Sequence, residues 1–413
     1  MTHDKLLPRQ PPRWSELRPL LQLSLPKLSQ HAAVRRAASI DDLRALARRR
    51  TPRAAFDYVD GAAETEQSYA RSRAAFDRVE FRPQVLRDVS APNTTTSVLG
   101  RTCSMPLVLA PTGFTRMLHY QGEFAVAAAA ADAGVPYTLS TMGTVAPERL
   151  SAARGADGAD RWFQLYLWQD RTASKELVAR AAEHGYRVLV LTVDTPVSGA
   201  RLRDVRNGLT IPPKLTVRTL ADMSRHPAWW VNLLTTEPLT FASLTSTDGT
   251  PATLVDRVFD PGATLEDLHW LRRTWTGPLV VKGVQTAADA RMVVDAGADA
   301  VVLSNHGGRQ LDRAVTPLEE LPAVLDAVGG DAEVYLDGGI RNGADVIAAV
   351  ALGARACLVG RAYLYGLMAG GQSGVTRALD ILHTDMLRTL ALLGAPTLND
   401  LTEDSARLRA HAD

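Results

Sequence analysis

From residue 106 onward the chain alternates short, nearly continuous apolar runs with longer segments whose apolar residues recur at helical spacing. Eight runs stand at residues 106–110, 135–140, 162–166, 188–193, 279–282, 300–304, 333–336 and 356–359, each ending in small or polar residues. An apolar run without polar alternation marks a strand covered on both faces, as in a parallel sheet. The Ala-rich stretches between them, such as residues 123–133 and 343–352, read as the covering helices. Eight strand-helix units predict an α/β fold, a closed (β/α)8 TIM barrel. A doubly wound open sheet would need a G-x-G-x-x-G turn after an early strand, and none is present there.

Such a barrel takes about 250 residues, whereas this chain has 413. The excess predicts an N-terminal helical segment, residues 1–100, packing on a barrel domain, residues 101–413. That domain carries a long insertion at about 196–262, after the fourth strand, and ends in helices. Ser39, with Asp42 three residues on and Leu43, Leu46 and Ala47 behind it, predicts a capped helix ending near Pro52. The insertion contains Trp229, Trp230, Leu233, Leu234, Leu239 and Phe241, too apolar for a solvated loop. It reads as a lid or subunit contact, or as an apolar patch offered to a membrane or a quinone.

At 46% hydrophobic and 22% charged residues the chain is a folded protein and not a disordered one. Its 46 basic and 45 acidic residues leave nothing that points to nucleic acid. Cys103 and Cys357 sit among apolar neighbours without C-x-x-C spacing, so neither a disulfide framework nor a metal site is indicated. Residues 1–30 are interrupted by five prolines, and no run reaches the ~18 apolar residues of a spanning helix. The expectation is a cytoplasmic protein, with peripheral contact to the inner face of the cell membrane as the alternative. Lys5, Arg9, Arg13, Arg18, Lys27, Arg35 and Arg36 against Asp4 and Glu16 make a local basic excess, which reads first as a solvated arm.

In an eight-fold barrel the strands' C-terminal ends form one catalytic rim. Here that rim collects Pro111-Thr112-Gly113, Ser140, Gln164 with Tyr166, Thr192 with Asp194, and Lys282. Ser304 with His306 and Arg309, then Asp337-Gly338-Gly339 with Arg341, then Gly360-Arg361 complete it. His306 and Arg309 pair a proton acceptor with an anion clamp, which suggests a carboxylate substrate. Taken alone, the segment would also read as a polar turn. Asp194 is placed to hold the His306 imidazole, although a cap or buried ion pair is its plainer reading. Glycines with Arg341 and Arg361 after the seventh and eighth strands are where such barrels bind phosphate. Lys282 at a buried strand end implies an anionic or electron-rich neighbour, or else a side chain that snorkels to water. Tyr58 and Tyr166 are candidate hydrogen-bond donors.

With these motifs the chain resembles the FMN-dependent 2-hydroxy-acid dehydrogenase and oxidase family over residues 38–400. The likeness rests on Phe56-Asp57-Tyr58, Ala110-Pro111-Thr112-Gly113, Phe163-Gln164-Leu165-Tyr166, Leu191-Thr192-Val193-Asp194-Thr195-Pro196, Val281-Lys282-Gly283, Ser304 to Asp312, Asp337 to Arg341 and Gly360-Arg361. The resemblance implies His306 as the base, oriented by Asp194, and Arg309, Tyr58 and Arg201 on the substrate carboxylate. It implies Tyr166 on the substrate hydroxyl and Lys282 beside the flavin. Pro111, Thr112, Gly113, Ser140, Gln164, Thr192 and Ser304 would line the ring and ribityl chain of FMN, with Asp337, Gly338, Gly339, Arg341, Gly360 and Arg361 around the ribityl and phosphate.

Within the family the chain resembles the bacterial quinone-linked L-lactate dehydrogenases, on Thr138-Leu139-Ser140-Thr141, Gly199-Ala200-Arg201, His226-Pro227-Ala228-Trp229, Phe259-Asp260-Pro261 and Arg361-Ala362-Tyr363-Leu364. That likeness implies oxidation of L-lactate to pyruvate, electrons passed to quinone or another non-oxygen acceptor, and a homotetramer. Family oxidases commonly carry alanine at the position of Gly113 and some carry tryptophan at that of Met142, so both residues lean towards a dehydrogenase. The alternatives are an oxygen-using oxidase of another hydroxy acid and an amine oxidase of the mycofactocin-maturation type. Tyr58, Arg201 and Arg309 argue against the second. A non-enzymatic phosphate-binding barrel is the remaining reading.

Overall fold

The computed structural model describes residues 30–153, 159–208, 222–242 and 259–410. Three short strands precede the barrel: β1 (Val79–Phe81), β2 (Thr96–Val98) and β3 (Arg101–Cys103). The barrel strands are β4 (Leu107–Leu109), β5 (Tyr137–Ser140), β6 (Arg161–Leu165), β7 (Val188–Thr192), β8 (Leu279–Val284), β9 (Ala300–Ser304), β10 (Glu333–Asp337) and β11 (Ala356–Val359). They close in the order β10-β11-β4-β5-β6-β7-β8-β9, all parallel. The eight-strand barrel expected from the apolar runs is therefore the observed fold, and every strand coincides with one run. β7, β8 and β9 are buried along their whole length, which explains why their sequences show no polar alternation.

Register sets the rim. Ser140 lies opposite Gln164, Thr192 opposite Lys282 and Ser304 opposite Asp337, so three pairs of polar side chains reach one level at the strands' C-terminal ends. Lower in the barrel Val108, Trp162, Val190, Val280, Val302, Tyr335 and Leu358 fill the interior. The β2-β3 hairpin, unforeseen in the sequence, adds Val98 and Cys103 to that interior cluster. It is fastened by Leu99, whose N–H donates to the Glu333 carboxylate at 3.1 Å and whose carbonyl accepts from Arg187 at 2.9 Å.

The helix Ile40–Arg50 starts at Ser39 with both bonds of a capping box, as the sequence predicts, and packs along the C-terminal helical stretch Arg361–Leu393. A further strand, β12 (Ala406–Leu408), pairs antiparallel with β1 and ties the N-terminal helices to the chain's end. The basic positions before Gln30, and residues 209–221 and 243–258 of the insertion, lie outside the described residues. Within the insertion, helix Pro227–Thr235 is anchored by Trp229, whose indole N–H donates to the Met117 carbonyl at 2.9 Å. Phe241 meets Phe114 edge-on at 4.4 Å between centroids. Among the described residues no helix is long and apolar enough to cross a membrane.

Candidate active site

The signature segment folds as a tight turn at the end of β9. The Asn305 side chain accepts from the Gly308 N–H at 3.1 Å, and the His306 N–H donates to Ser304 Oγ at 3.0 Å. His306, Gly307 and Gly308 all have left-handed backbones, with φ of 58°, 64° and 74°. A Cβ on Gly308 would sit 2.7 Å from the Tyr69 nitrogen, so only glycine fits. A histidine held in this region is strained, and such strain persists where the surroundings fix it. The turn brings His306 Nδ1 within 2.9 Å of Asp194 Oδ1.

Asp194 is almost wholly buried, and its second oxygen has no partner. Burial opposes its ionisation, but His306, by charge and hydrogen bond, and Lys282 outweigh that and hold its pKa below the ordinary value. Gly283, which interrupts the β8 register, makes the space: a Cβ there would lie 2.6 Å from Asp194 Cγ. Gln310 closes the arrangement from behind. Its amide donates to the Asp194 carbonyl at 3.0 Å and the Val197 carbonyl at 2.9 Å, and accepts from the Gly199 N–H at 3.1 Å.

Beside this pair stand two guanidinium groups on one ring. Arg309 lies 5.1 Å and Arg201 5.5 Å from the Tyr58 ring centroid. Arg309 donates to the Tyr58 carbonyl at 2.6 Å and the Gly61 carbonyl at 3.2 Å, which fixes its plane. Burial, then the like charge of Arg201, lowers its pKa to about 10, so it stays cationic at neutral pH and gains from an anion. Tyr166 lines the same cavity, and burial with the nearby Asp194 pushes its hydroxyl pKa well up, keeping it protonated.

Across the rim Lys282, Ser304 and Asp337 form a triangle. Lys282 Nζ is 3.0 Å from Asp337 Oδ2 and donates to Ser304 Oγ at 3.1 Å, while Ser304 Oγ donates to Asp337 at 2.6 Å. Burial alone would discharge Lys282, but Asp337 and Asp194 more than offset it and raise its pKa. Gln164 accepts from Ser140 Oγ at 3.0 Å, leaving its buried Nε2 without a partner. Thr112 Oγ1 bonds the Tyr363 hydroxyl at 2.6 Å. Gly113 faces Met142, whose Cβ would lie 2.9 Å from an added Cβ. Arg341 donates to the Tyr69 hydroxyl at 3.0 Å, and Arg361 lies 4.7 Å from the Tyr69 ring centroid. Arg361 also donates to the carbonyls of Val59, Gly61 and Gly307, so much of its bonding capacity braces the rim itself.

One cavity of about 1390 Å³, mouth included, gathers Tyr58, Pro111, Thr112, Gly113, Ser140, Tyr166, Arg201, Lys282, His306, Arg309, Asp337, Gly338, Gly339, Arg341, Gly360 and Arg361. Gln164 and Ser304 lie directly beneath it through their bonds to Ser140 and Lys282. Thr192 lies opposite Lys282 in register, on the same inward side of β7 as Val188 and Val190; it also borders an adjoining cavity with Leu191 and Val193, as does Asp194. Tyr69, Gln310 and Phe259 also belong to the site but had no role assigned from sequence. Tyr69 arrives from a distant helix, Gln67–Asp77, and Phe259 from the return of the insertion, so no local pattern marks them. Gln310 sits inside the signature, where its adjacency to Arg309 was the available signal.

The sequence profile of the FMN-dependent dehydrogenase family matches residues 47–408. A Mycobacterium tuberculosis protein named putative L-lactate dehydrogenase is 53% identical over 395 residues, 95% of each chain. The L-lactate dehydrogenase of Caulobacter vibrioides is 41% identical over 373 residues, 89% of this chain and 96% of that one. Among solved structures, the monotopic membrane protein (S)-mandelate dehydrogenase superposes with a TM-score of 0.87 at 38% identity, over 91% of this chain and 100% of its own. A mandelate oxidase superposes with a TM-score of 0.78 at 38% identity, over 90% and 98%.

Proposed function

The chain belongs to the FMN-dependent dehydrogenase family, and from that premise we propose that it oxidises L-lactate to pyruvate and delivers the electrons to a quinone at a membrane surface. Its class is FMN-dependent 2-hydroxy-acid dehydrogenase. The observation that carries the reading is His306 on Asp194 at 2.9 Å, in one cavity with Arg309, Arg201 and Tyr58.

The residues present suit FMN. The buried Gln164 Nε2 lacks a partner, as a donor meant for a flavin edge would. Lys282 brings a fixed positive charge to the rim, and the Gly338-Gly339 turn beside Arg341 offers donors to a phosphate. Pro111, Thr112, Gly113, Ser140, Gln164, Thr192 and Lys282 would hold the ring, and Ser304, Asp337, Gly338, Gly339, Arg341, Gly360 and Arg361 the ribityl phosphate. Bound FMN supplies the two-electron acceptor for the substrate.

The remaining chemistry is assigned to side chains. Arg309 and Arg201 clamp the carboxylate, with Tyr58 between them, and Tyr166 donates to the substrate hydroxyl. His306 takes the proton at Nε2, since Nδ1 is committed to Asp194. The imidazolium that forms is balanced by the Asp194 carboxylate, which also fixes the ring.

Lactate is favoured by the names of the two curated relatives. Quinone and peripheral membrane contact are supported by helix Pro227–Thr235, which exposes Val231 and Leu234, and by the monotopic mandelate dehydrogenase. A homotetramer is proposed with them. Gly113 favours a dehydrogenase over an oxidase. Enzyme reduced anaerobically with L-lactate is mixed with quinone-loaded vesicles or with air-saturated buffer. Fast reoxidation by quinone and slow reoxidation by oxygen is expected, and the reverse order would replace this reading with that of an oxidase.

A further inference from the structure

The substrate cavity has an apolar side as well as a polar one. Its largest apolar side chains are Met142, Phe114 and Phe259, with smaller ones from Val59, Ile340 and Leu364. Phe259 meets the Tyr166 ring edge-on at 5.3 Å between centroids. If the Tyr166 hydroxyl engages the carbinol, Phe259 lies one ring away from it, where the substituent on that carbon must go.

Phe259 is fixed by its neighbours. Asp260 pairs with Arg171 at 2.7 Å, and its side chain accepts from the Gly262 N–H at 2.8 Å, so the chain turns sharply just after Phe259. Arg171 is itself held by Asp267 at 2.7 Å. The turn therefore hangs on helix Leu265–Thr274, against the barrel's outer layer. Across the site Met142 is held as firmly. Its N–H donates to Ser140 Oγ at 3.1 Å, its carbonyl accepts from the Phe114 N–H at 3.1 Å, and the next turn is tied to the fully buried Glu123 through Thr144 Oγ1 at 2.7 Å. The two walls are thus anchored through the Asp260–Arg171 ion pair and through the hydrogen bonds of the Met142 backbone.

We propose that Phe259, clamped by the Asp260–Arg171 pair, sets the upper size limit on the side chain of the hydroxy acid. The inference rests on the reading of this cavity as the hydroxy-acid site. Phe259 acts by contact with substrate, and Asp260 is a positioning residue. The selected class is L-2-hydroxy acids with a one- or two-carbon substituent. A phenyl substituent would collide with the Phe259 ring.

The test uses the FMN-loaded enzyme and a series of acids: L-lactate, L-2-hydroxybutyrate, L-2-hydroxyisocaproate and (S)-mandelate. Wild type should fall steeply along the series. Phe259→Ala should raise kcat/KM for the two largest acids in absolute terms by about tenfold or more, as a pocket enlarged by several methylenes predicts, and Phe259→Leu should act in the same direction more weakly. Asp260→Asn should raise KM for lactate more than it lowers kcat. Dissociation constants for pyruvate and phenylglyoxylate, read from perturbation of the flavin absorbance, should shift in parallel without turnover. A wild type that accepts mandelate as well as lactate, or a Phe259→Ala variant whose discrimination is unchanged, overturns the inference. Absence of flavin reduction by every acid in the series would overturn the hydroxy-acid reading instead.

Discussion

Replacing Asp194 by Asn keeps the size of the side chain and one oxygen that can accept from His306 Nδ1, and removes the charge. The contact atoms of Asp194 and His306 are 2.9 Å apart. Two unit charges centred roughly 4 Å apart at an effective dielectric near 20 attract by ~4 kcal/mol. That attraction is gained as His306 takes the substrate's proton, so it strengthens on the way to the transition state. At 1.36 kcal/mol per decade the loss is ~10²–10³-fold in the rate of flavin reduction, allowing for the desolvation that an amide no longer suffers. The assay is anaerobic stopped-flow absorbance with saturating L-lactate, with FMN content measured alongside. FMN should stay bound and the affinity for pyruvate should change little, because the Arg309 and Arg201 clamp is untouched. A rate within about threefold of wild type would refute the role given to the carboxylate.

Other outcomes follow from the same geometry. Gly283→Ala would place a Cβ 2.6 Å from Asp194 Cγ on a backbone at φ 104°; it should lower stability by ~1–3 kcal/mol and slow flavin reduction about as much as Asp194→Asn does. Asp60 accepts from Arg44 at 2.6 Å, Arg203 at 3.0 Å and the Tyr365 hydroxyl at 2.8 Å, and although burial opposes it, these bonds lower its pKa to about 2. A depressed carboxylate stabilises the fold above its unfolded pKa near 3.8 and loses that contribution as pH falls through about 2. Asp60→Asn should therefore lose ~2 kcal/mol in urea unfolding at pH 7, and the gap to wild type should close as the pH is lowered from 4 towards 2. Gly113→Ala, whose Cβ would press on Met142 at 2.9 Å, should displace Met142 and speed reoxidation of the reduced enzyme by oxygen several-fold. An unchanged oxygen rate would remove Gly113 from the choice of acceptor.

How much could be read from the chain depends on whether a feature is local. The eight barrel strands were legible because full burial leaves an unbroken apolar run, and closure followed from their number. The rim residues followed from the strand ends, since register alone brings Ser140 to Gln164 and Ser304 to Asp337. Thr192 ends β7 on the inward side set by Val188 and Val190 and stands opposite Lys282, where the strand end placed it. The β2-β3 hairpin escaped because three-residue strands have no period to detect. Tyr69 and Phe259 escaped because tertiary folding alone carries them to the site, from before the barrel and from the far end of the insertion. Arg361 was expected at a phosphate; its bonds to Val59, Gly61 and Gly307 add a bracing role that spacing cannot show.

The most direct test of the account is the visible absorbance of the FMN-loaded protein mixed with L-lactate in the absence of oxygen. The account predicts prompt bleaching of the flavin bands, with one pyruvate formed per flavin reduced. A spectrum that stays oxidised with L-lactate, in protein that holds FMN, would contradict L-lactate as the substrate.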